Sequence, residues 1–300
     1  MYVITGATGN TGSIAATQLL DRNENVRVIG RSADRLEPLT ARGAEPFVCD
    51  LNDAAALTKA FSGAKAVYAM VPPSMTSQNY RADQDRVSDA MAHAIEAAGV
   101  EYVVSLSSVG ADKAEGTGPV AGLHYLEQTL NSIPGLNALH LRPGYFMENT
   151  LAQVGIIQTM NVTAGPLRPD LKMPMIATRD IGAAAAQALV ARNFNGKQTR
   201  ELLGERDLSY AEVASIIGSA IGKPELKYIH LPDQGVRGAF LQMGMSANVA
   251  DLILEMSGAL NSGEMKPLEE RNSENTTPTS FEQFVADEFV PLYRGKPTSA

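Results

Sequence analysis

Seven residues, Gly6-Ala7-Thr8-Gly9-Asn10-Thr11-Gly12, constrain this 300-residue chain more than any others. They follow a short apolar run, Tyr2–Thr5, and open a stretch of helical spacing, Thr11–Asp21, with Ile14, Ala15, Leu19 and Leu20 on one face. Glycines at GxxGxxG spacing between a strand and a helix allow a tight turn and a close approach of backbone to whatever lies above it. The first N–H groups of the helix have no partner within it, and the helix dipole adds to their positive potential. Such a turn is a cradle for an anion, a phosphate above all.

The same alternation continues for 145 residues. Val26–Gly30, Glu45–Val48, Ala66–Val71, Tyr102–Leu106 and Asn137–Leu141 read as strands. Between them, Ala33–Arg42, Asp53–Ser62, Tyr80–Ala98 (closed by Gly99) and Ala121–Ser132 read as helices. Strands alternating with helices imply right-handed βαβ units and one parallel sheet. The strands are near-continuously apolar, as expected where helices cover both faces. The expected fold is therefore α/β, a Rossmann-type doubly wound parallel sheet, with a dinucleotide pyrophosphate over Gly6, Thr8, Gly9, Asn10, Thr11 and Gly12.

After Arg142-Pro143-Gly144 the rhythm loosens. Thr150–Met160, Thr178–Ala191 and Phe281–Phe289 read as helices, and Ser209–Ile221 as one opened by a capping box of Ser209 and Glu212. Arg200–Gly204 and Leu226–Leu231 are strand candidates; Gly165–Pro174 and the polar stretch 262–280 read as irregular, the latter as a surface loop. The expected division is a dinucleotide-binding domain over 1–145, its sheet completed by 178–204, and a smaller α/β substrate cap over most of 146–300.

Composition narrows the function. A net charge of −8 without a clustered basic run argues against direct contact with nucleic acid. One cysteine, Cys49, and four histidines without metal-ligand spacing predict neither a disulfide nor a metal site. No apolar run reaches the roughly 18 residues of a membrane span, and the chain opens directly on strand and glycine loop, so a cytoplasmic location is expected. The second strand ends Val28-Ile29-Gly30-Arg31-Ser32 with no acid to hold a ribose 2′-hydroxyl. Arg31, with Ser32 beside it, is placed to pair with a 2′-phosphate, which favours NADP(H) over NAD(H). Asp50-Leu51 after the third strand is expected at the adenine edge; a helix-cap role for Asp50 is compatible. Ser107 and Ser108 end the fifth strand, where open α/β sheets bind ligands. Ser74–Asn79 reads as a mobile lid. The segment Met243, Met245, Met256 reads as adaptable packing or a partner surface, and His140 as structural.

The loop 5–12, the segment Val104-Ser-Leu-Ser-Ser-Val-Gly110, the run Leu141-Arg-Pro-Gly-Tyr-Phe-Met-Glu-Asn149 and the helix start Thr178-Arg-Asp-Ile-Gly182 together resemble the NmrA-like family of atypical short-chain dehydrogenase/reductases. The resemblance implies a seven-stranded sheet, a small C-terminal domain and a substrate cleft between them. It places the backbone of Met70, Val71 and Pro72 against the nicotinamide ribose, with Ser107, Pro143 and Tyr145 beside the cofactor. Ser108 and Asn149 are candidates to face the substrate, Asn149 equally as a helix N-cap, and Phe146 and Met147 form either an apolar floor or ordinary core packing between the two halves. Ordinary short-chain dehydrogenases carry Tyr-x-x-x-Lys on the helix after the fifth strand; here Tyr125 is followed four residues later by Thr129. Without a neighbouring cation a tyrosine is a poor acid at neutral pH. His124 is the alternative candidate for holding the ribose or donating a proton, with Tyr125 beside it. The family implies either a reductase passing hydride from NADPH to a quinone-like or other small apolar acceptor, or a redox sensor that binds NADP(H) and signals through a protein partner. A homodimer fits either. The absent tyrosine–lysine pair argues against a nucleotide-sugar epimerase.

Overall fold

The computed structural model describes residues 1–295. Its first half runs β1 (Tyr2–Ile4), α1 (Asn10–Asp21), β2 (Val26–Gly30), α2 (Ala33–Thr40), β3 (Glu45–Val48), α3 (Ala54–Phe61), β4 (Ala66–Ala69), α4 (Tyr80–Ala97), β5 (Tyr102–Leu106), α5 (Ala121–Asn131) and β6 (Asn137–Pro143). The second half adds β7 (Tyr145–Phe146), α6 (Gln153–Met160), β8 (Thr163–Gly165), β9 (Met173–Ile176), α7 (Thr178–Ala191), β10 (Lys197–Leu202), β11 (Asp207–Leu208), α8 (Tyr210–Ile221), β12 (Tyr228–His230), α9 (Asp233–Gln242), α10 (Ala247–Ser262), α11 (Phe281–Phe284) and α12 (Val290–Tyr293).

Seven strands form one all-parallel sheet in the order β10-β6-β5-β4-β1-β2-β3. The order reverses between β1 and β4, which opens a crevice at the carboxyl ends of those strands. Alternate residues of each strand face opposite sides. Ile4, Val28, Tyr68, Val104 and Leu139 join one core with α1 and α7; Val3, Ile29, Val67, Val103 and Ala138 join the other with α3, α4 and α5. Each such aliphatic chain contributes roughly 1.5–3 kcal/mol when fully buried. The seventh strand, β10, begins three residues before the expected Arg200 and pairs with β6 throughout. Helix α7 packs closely on α1 through Gly182, where a Cβ would lie 2.7 Å from the Thr11 carbonyl oxygen.

A third core, built from β7–β9, α8 and the C-terminal helices, covers the carboxyl edge of β5 and β6. The predicted helix 150–160 starts instead as a 3-10 turn over Met147–Ala152, and Phe281–Phe289 passes from α11 into a π-helical turn. The capping box at Ser209 and Glu212 forms as read. The two helices α9 and α10 fall where no periodic pattern was recognised. The stretch 262–280 is irregular and largely exposed, as expected, but it is anchored: Asn275, Thr277 and Thr279 are buried. It is held by main-chain bonds Leu203 N–H to Asn275 O (2.7 Å) and Thr277 N–H to Gly204 O (3.3 Å), and by the carboxylates of Glu201 and Asp180. Its polar residues satisfy backbone groups at the end of β10, which composition alone cannot distinguish from solvation.

His140 is structural, as read. Its Nδ1 lies 2.6 Å from Ser105 Oγ and its Nε2 3.0 Å from Asn131 Oδ1, a pattern that fits the neutral ring. Burial lowers its pKa to about 4. The unfolded chain takes up the proton near pH 6.5 and the folded one does not, so the stabilisation is fully present above pH 6.5 and is lost as pH falls towards 4. Relative to a His140→Gln variant, the wild type is expected to lose about 2 kcal/mol between pH 7 and pH 5. Urea unfolding followed by circular dichroism measures this, the chain having no tryptophan; parallel pH dependences in the two proteins would contradict it.

Candidate active site

The glycine loop is held from below. Thr5 Oγ1 donates to Tyr68 O (3.0 Å) and accepts from Met70 N–H (2.9 Å), tying β1 to β4. The buried Tyr68 hydroxyl donates to Thr11 Oγ1 at 3.0 Å. The Thr11 side chain is therefore committed to the interior, and only its backbone amide faces the loop's exterior chemistry. Gly6 has φ +60°, the left-handed region, and a Cβ there would strike the Met70 side chain. At Gly12 a Cβ would lie 2.3 Å from Gly6 O and 2.8 Å from Gly6 C. The cradle exists only without these side chains, and it fits the approach of a pyrophosphate to the amides of α1.

Two cavities open along the carboxyl edge. The first, about 410 Å³, runs from Gly6 and Thr8 past the ends of β2, β3 and β4 to α4. Arg31, Ser32, Asp50, Leu51, Val71 and Pro72 line it, together with Arg35, Cys49, Asn52, Asp83, Gln84 and Arg86, which the motifs did not reveal. Arg86 is paired with Asp83. Arg31 and Arg35 have neither ion pair nor hydrogen bond among the described residues, so two guanidinium groups remain available at the end of β2. Asp50 forms a local turn, accepting from Asn52 N–H and Nδ2 at 2.8 Å each, which with the nearby Arg31 holds its carboxyl below the usual range. The cap of α3 is Asp53, not Asp50. Burial and the neighbouring aspartates push the Cys49 thiol up to about 11, so it is a neutral wall rather than a nucleophile. Met70 packs beneath Gly6 rather than lining the cavity.

The second cavity, about 290 Å³, lies over the ends of β5 and β6. Ser108, Pro143, Tyr145, Phe146 and Asn149 line it, with Met173, Met256, Leu260 and Met265 among the apolar walls, and no acidic residue does. Pro143 and Tyr145, read as bordering the nicotinamide and the cleft, line this apolar cavity. Met147 is 1% exposed and belongs to the third core, because the 3-10 turn that begins there rotates it inward. Met256, read as packing, is part of the wall.

Three expected contacts are spent elsewhere. Ser107 is buried and donates to Glu127 Oε1 at 2.5 Å. That carboxylate is held by Arg142 through Nε (2.9 Å) and Nη2 (2.6 Å), a buried bidentate pair under the sheet edge. A charge inside the apolar runs of α5 and β6 was the available signal for it. Tyr125 donates to Asp89 on α4 at 2.9 Å, which raises its pKa and turns it away from both cavities. His124 Nδ1 sits 2.8 Å from Ala111 O, and the ring lines neither cavity. The segment 74–79 is not free: Ser246 donates through N–H to Met75 O (3.0 Å) and through Oγ to Ser77 O (2.5 Å), and Asn248 caps Tyr80 N–H (2.8 Å). Among the described residues no group of three or more His, Cys, Asp or Glu is arranged to hold a metal, and no helix is long and apolar enough to cross a membrane.

A seven-stranded parallel sheet with a glycine cradle, an arginine-lined cavity and an apolar cavity on neighbouring strand ends defines an α/β protein of the dinucleotide-binding class. The model of the NmrA-like family matches residues 2–299, and the chain belongs to that family. A curated relative, the NAD(P)H azoreductase of Xenophilus azovorans, is 28% identical over 258 residues, covering 85% of this chain and 86% of the relative. The NADPH-dependent quinone oxidoreductase of Escherichia coli, solved with NADPH, superposes with a TM-score of 0.81 at 23% identity over 95% of this chain and 99% of its own. The triphenylmethane reductase of Citrobacter sp., solved with NADP(H), gives 0.76 at 18% identity over the same shares.

Proposed function

We propose that the protein is an NADPH-dependent reductase of a flat, largely apolar acceptor such as a quinone or an azo compound. The observation that carries this reading is the pairing of two cavities on one sheet edge: one lined by free arginines beside the glycine cradle, the other apolar and free of acids. The dinucleotide supplies the hydride chemistry when bound. Gly6, Gly9 and Gly12 would leave room for the diphosphate, Arg31 and Arg35 would meet the 2′-phosphate, and Val71 and Pro72 would border the nicotinamide ribose. The apolar cavity excludes water from the acceptor. At its rim stand Lys172, 3.3 Å from Glu212, and Lys266, which has no ion pair among the described residues. The names of the relatives, azoreductase and quinone oxidoreductase, agree with such an acceptor.

Mixing purified protein with NADPH and a panel of quinones and azo compounds is expected to bleach the nicotinamide absorbance. Tight NADPH binding with no turnover across the panel would overturn the reductase reading in favour of a cofactor-responsive regulator. An Arg31→Ala, Arg35→Ala double variant is expected to bind NADPH roughly 10- to 100-fold more weakly, the loss of charge-assisted bonds to one phosphate, with NADH affinity unchanged. Calorimetry decides it, and an undiminished preference for NADPH would remove the 2′-phosphate argument.

A further inference from the structure

With Tyr125 turned away and its lysine absent, α5 offers no acid to the apolar cavity. β7 does. We propose that Tyr145 is the proton donor of this site, giving its phenolic hydrogen to the acceptor atom on which negative charge develops during reduction. The proposal rests on the reductase reading and goes beyond it by naming a catalytic residue.

The placement of Tyr145 is over-determined. It follows Gly144, where a Cβ would lie 2.6 Å from Pro174 O, so the chain is pressed against β9. Tyr145 then pairs with Met175 in that strand. Its ring meets Tyr210 edge-on with centroids 6.1 Å apart, and Tyr210 in turn packs on Tyr228 at 4.7 Å. Tyr145 is at the same time part of the cavity wall.

The hydrogen bonds at its oxygen all run one way. The Tyr210 hydroxyl donates to Tyr145 Oη at 3.1 Å, and the neighbouring Asn149 side chain also favours its anion. Tyr228 donates elsewhere, to Leu167 O at 2.9 Å. A phenol that accepts such a bond still has its own hydrogen to give. No acceptor among the described residues takes it. Tyr145 is partly buried on the cavity wall, where a bound ligand can supply the acceptor. Burial keeps the phenol above its ordinary pKa, hence protonated at neutral pH, while Tyr210 and Asn149 ease release of the proton to a basic oxyanion.

The step balances. The bound dinucleotide would supply a hydride, two electrons, to one end of a conjugated acceptor, which would leave an oxyanion at the other. That oxygen uses its lone pair to form the new O–H bond with the Tyr145 proton. The phenolate left behind regains a proton from water at the cavity mouth.

Tyr145→Phe deletes one oxygen and keeps the ring. It is expected to lower kcat with a quinone on the order of 10²-fold, with unchanged NADPH affinity and unchanged thermal unfolding by circular dichroism. Tyr210→Phe, which removes only the donated bond, is expected to lower kcat by a smaller factor at unchanged acceptor KM. A second readout needs no turnover: titrating the visible band of 4-nitrophenolate without NADPH is expected to show tighter binding to wild type than to Tyr145→Phe. Wild-type kcat in Tyr145→Phe, or equal phenolate affinity in the two proteins, overturns the proposal. If the wild type turns over NADPH with none of the acceptors in the panel, the reductase reading falls instead, and the phenolate titration still decides whether Tyr145 donates into the cavity.

Discussion

Glu127→Ala is expected to destabilise the protein by about 3–5 kcal/mol, the range found when one partner of a buried ion pair is removed. The Glu127 side chain is 2% exposed and that of Arg142 10%, so the guanidinium left behind has little water to turn to. Ser107 loses the acceptor of its hydroxyl as well. The damage should reach the apolar cavity, because the pair pins the two segments that border it. Ser107 N–H bonds Leu141 O at 2.8 Å and Val109 N–H bonds Pro143 O at 3.0 Å, extending the sheet to the cavity wall. Denaturant unfolding followed by circular dichroism gives the number. Replacing both partners, Glu127→Leu with Arg142→Met, is expected to recover much of the loss, since the charge burial is removed together with its compensation. A single Glu127→Ala variant as stable as the wild type would mean that the pair is hydrated.

Gly12→Val is expected to abolish dinucleotide binding outright. The atoms its Cβ would meet are backbone, Gly6 O at 2.3 Å, Gly6 C at 2.8 Å and Ala7 Cα at 3.2 Å, and none can swing aside as a side chain would. Helix α1 must move away from the loop, which takes its first amides out of reach of a diphosphate. Overpacking of this kind costs about 1–3 kcal/mol, so the variant should still fold. Gly9→Ala is the internal control. The nearest atom to its Cβ is Gly6 O at 3.4 Å, an ordinary contact, and φ is −99°, open to any residue. Calorimetry with NADPH is expected to show no heat for Gly12→Val and a retained isotherm for Gly9→Ala. Binding by Gly12→Val would remove the cradle from the argument.

The parallel sheet was legible because its signals are local. Apart from the polar edge strand β10, its strands are largely apolar, the helices between them have their own periodicity, and β2, β3 and β5 occupy the residues read for them. The site was legible in part for the same reason. The glycine loop, Arg31, Asp50 and the Pro143–Asn149 segment follow directly after strands, where an open sheet presents its ligand-binding edge. Helices α9 and α10 and the strap 262–280 were not legible. Their residues are fixed by partners far along the chain, such as Glu201 with the amides of Leu268 and Glu269, and Ser246 with Met75 and Ser77.

Sequence by itself determined the family, the sheet and the anion cradle, because these depend on periodicity and on which residues lack a Cβ. Only the tertiary structure decided which polar side chains point where. Ser107, Tyr125 and His124 carry the right chemistry at the right positions in the chain, yet their hydrogen bonds go to Glu127, Asp89 and Ala111. Tyr145 became a donor because Tyr210, 65 residues away, points its hydroxyl at it. A buried polar group must find a partner, and packing between distant elements chooses which one.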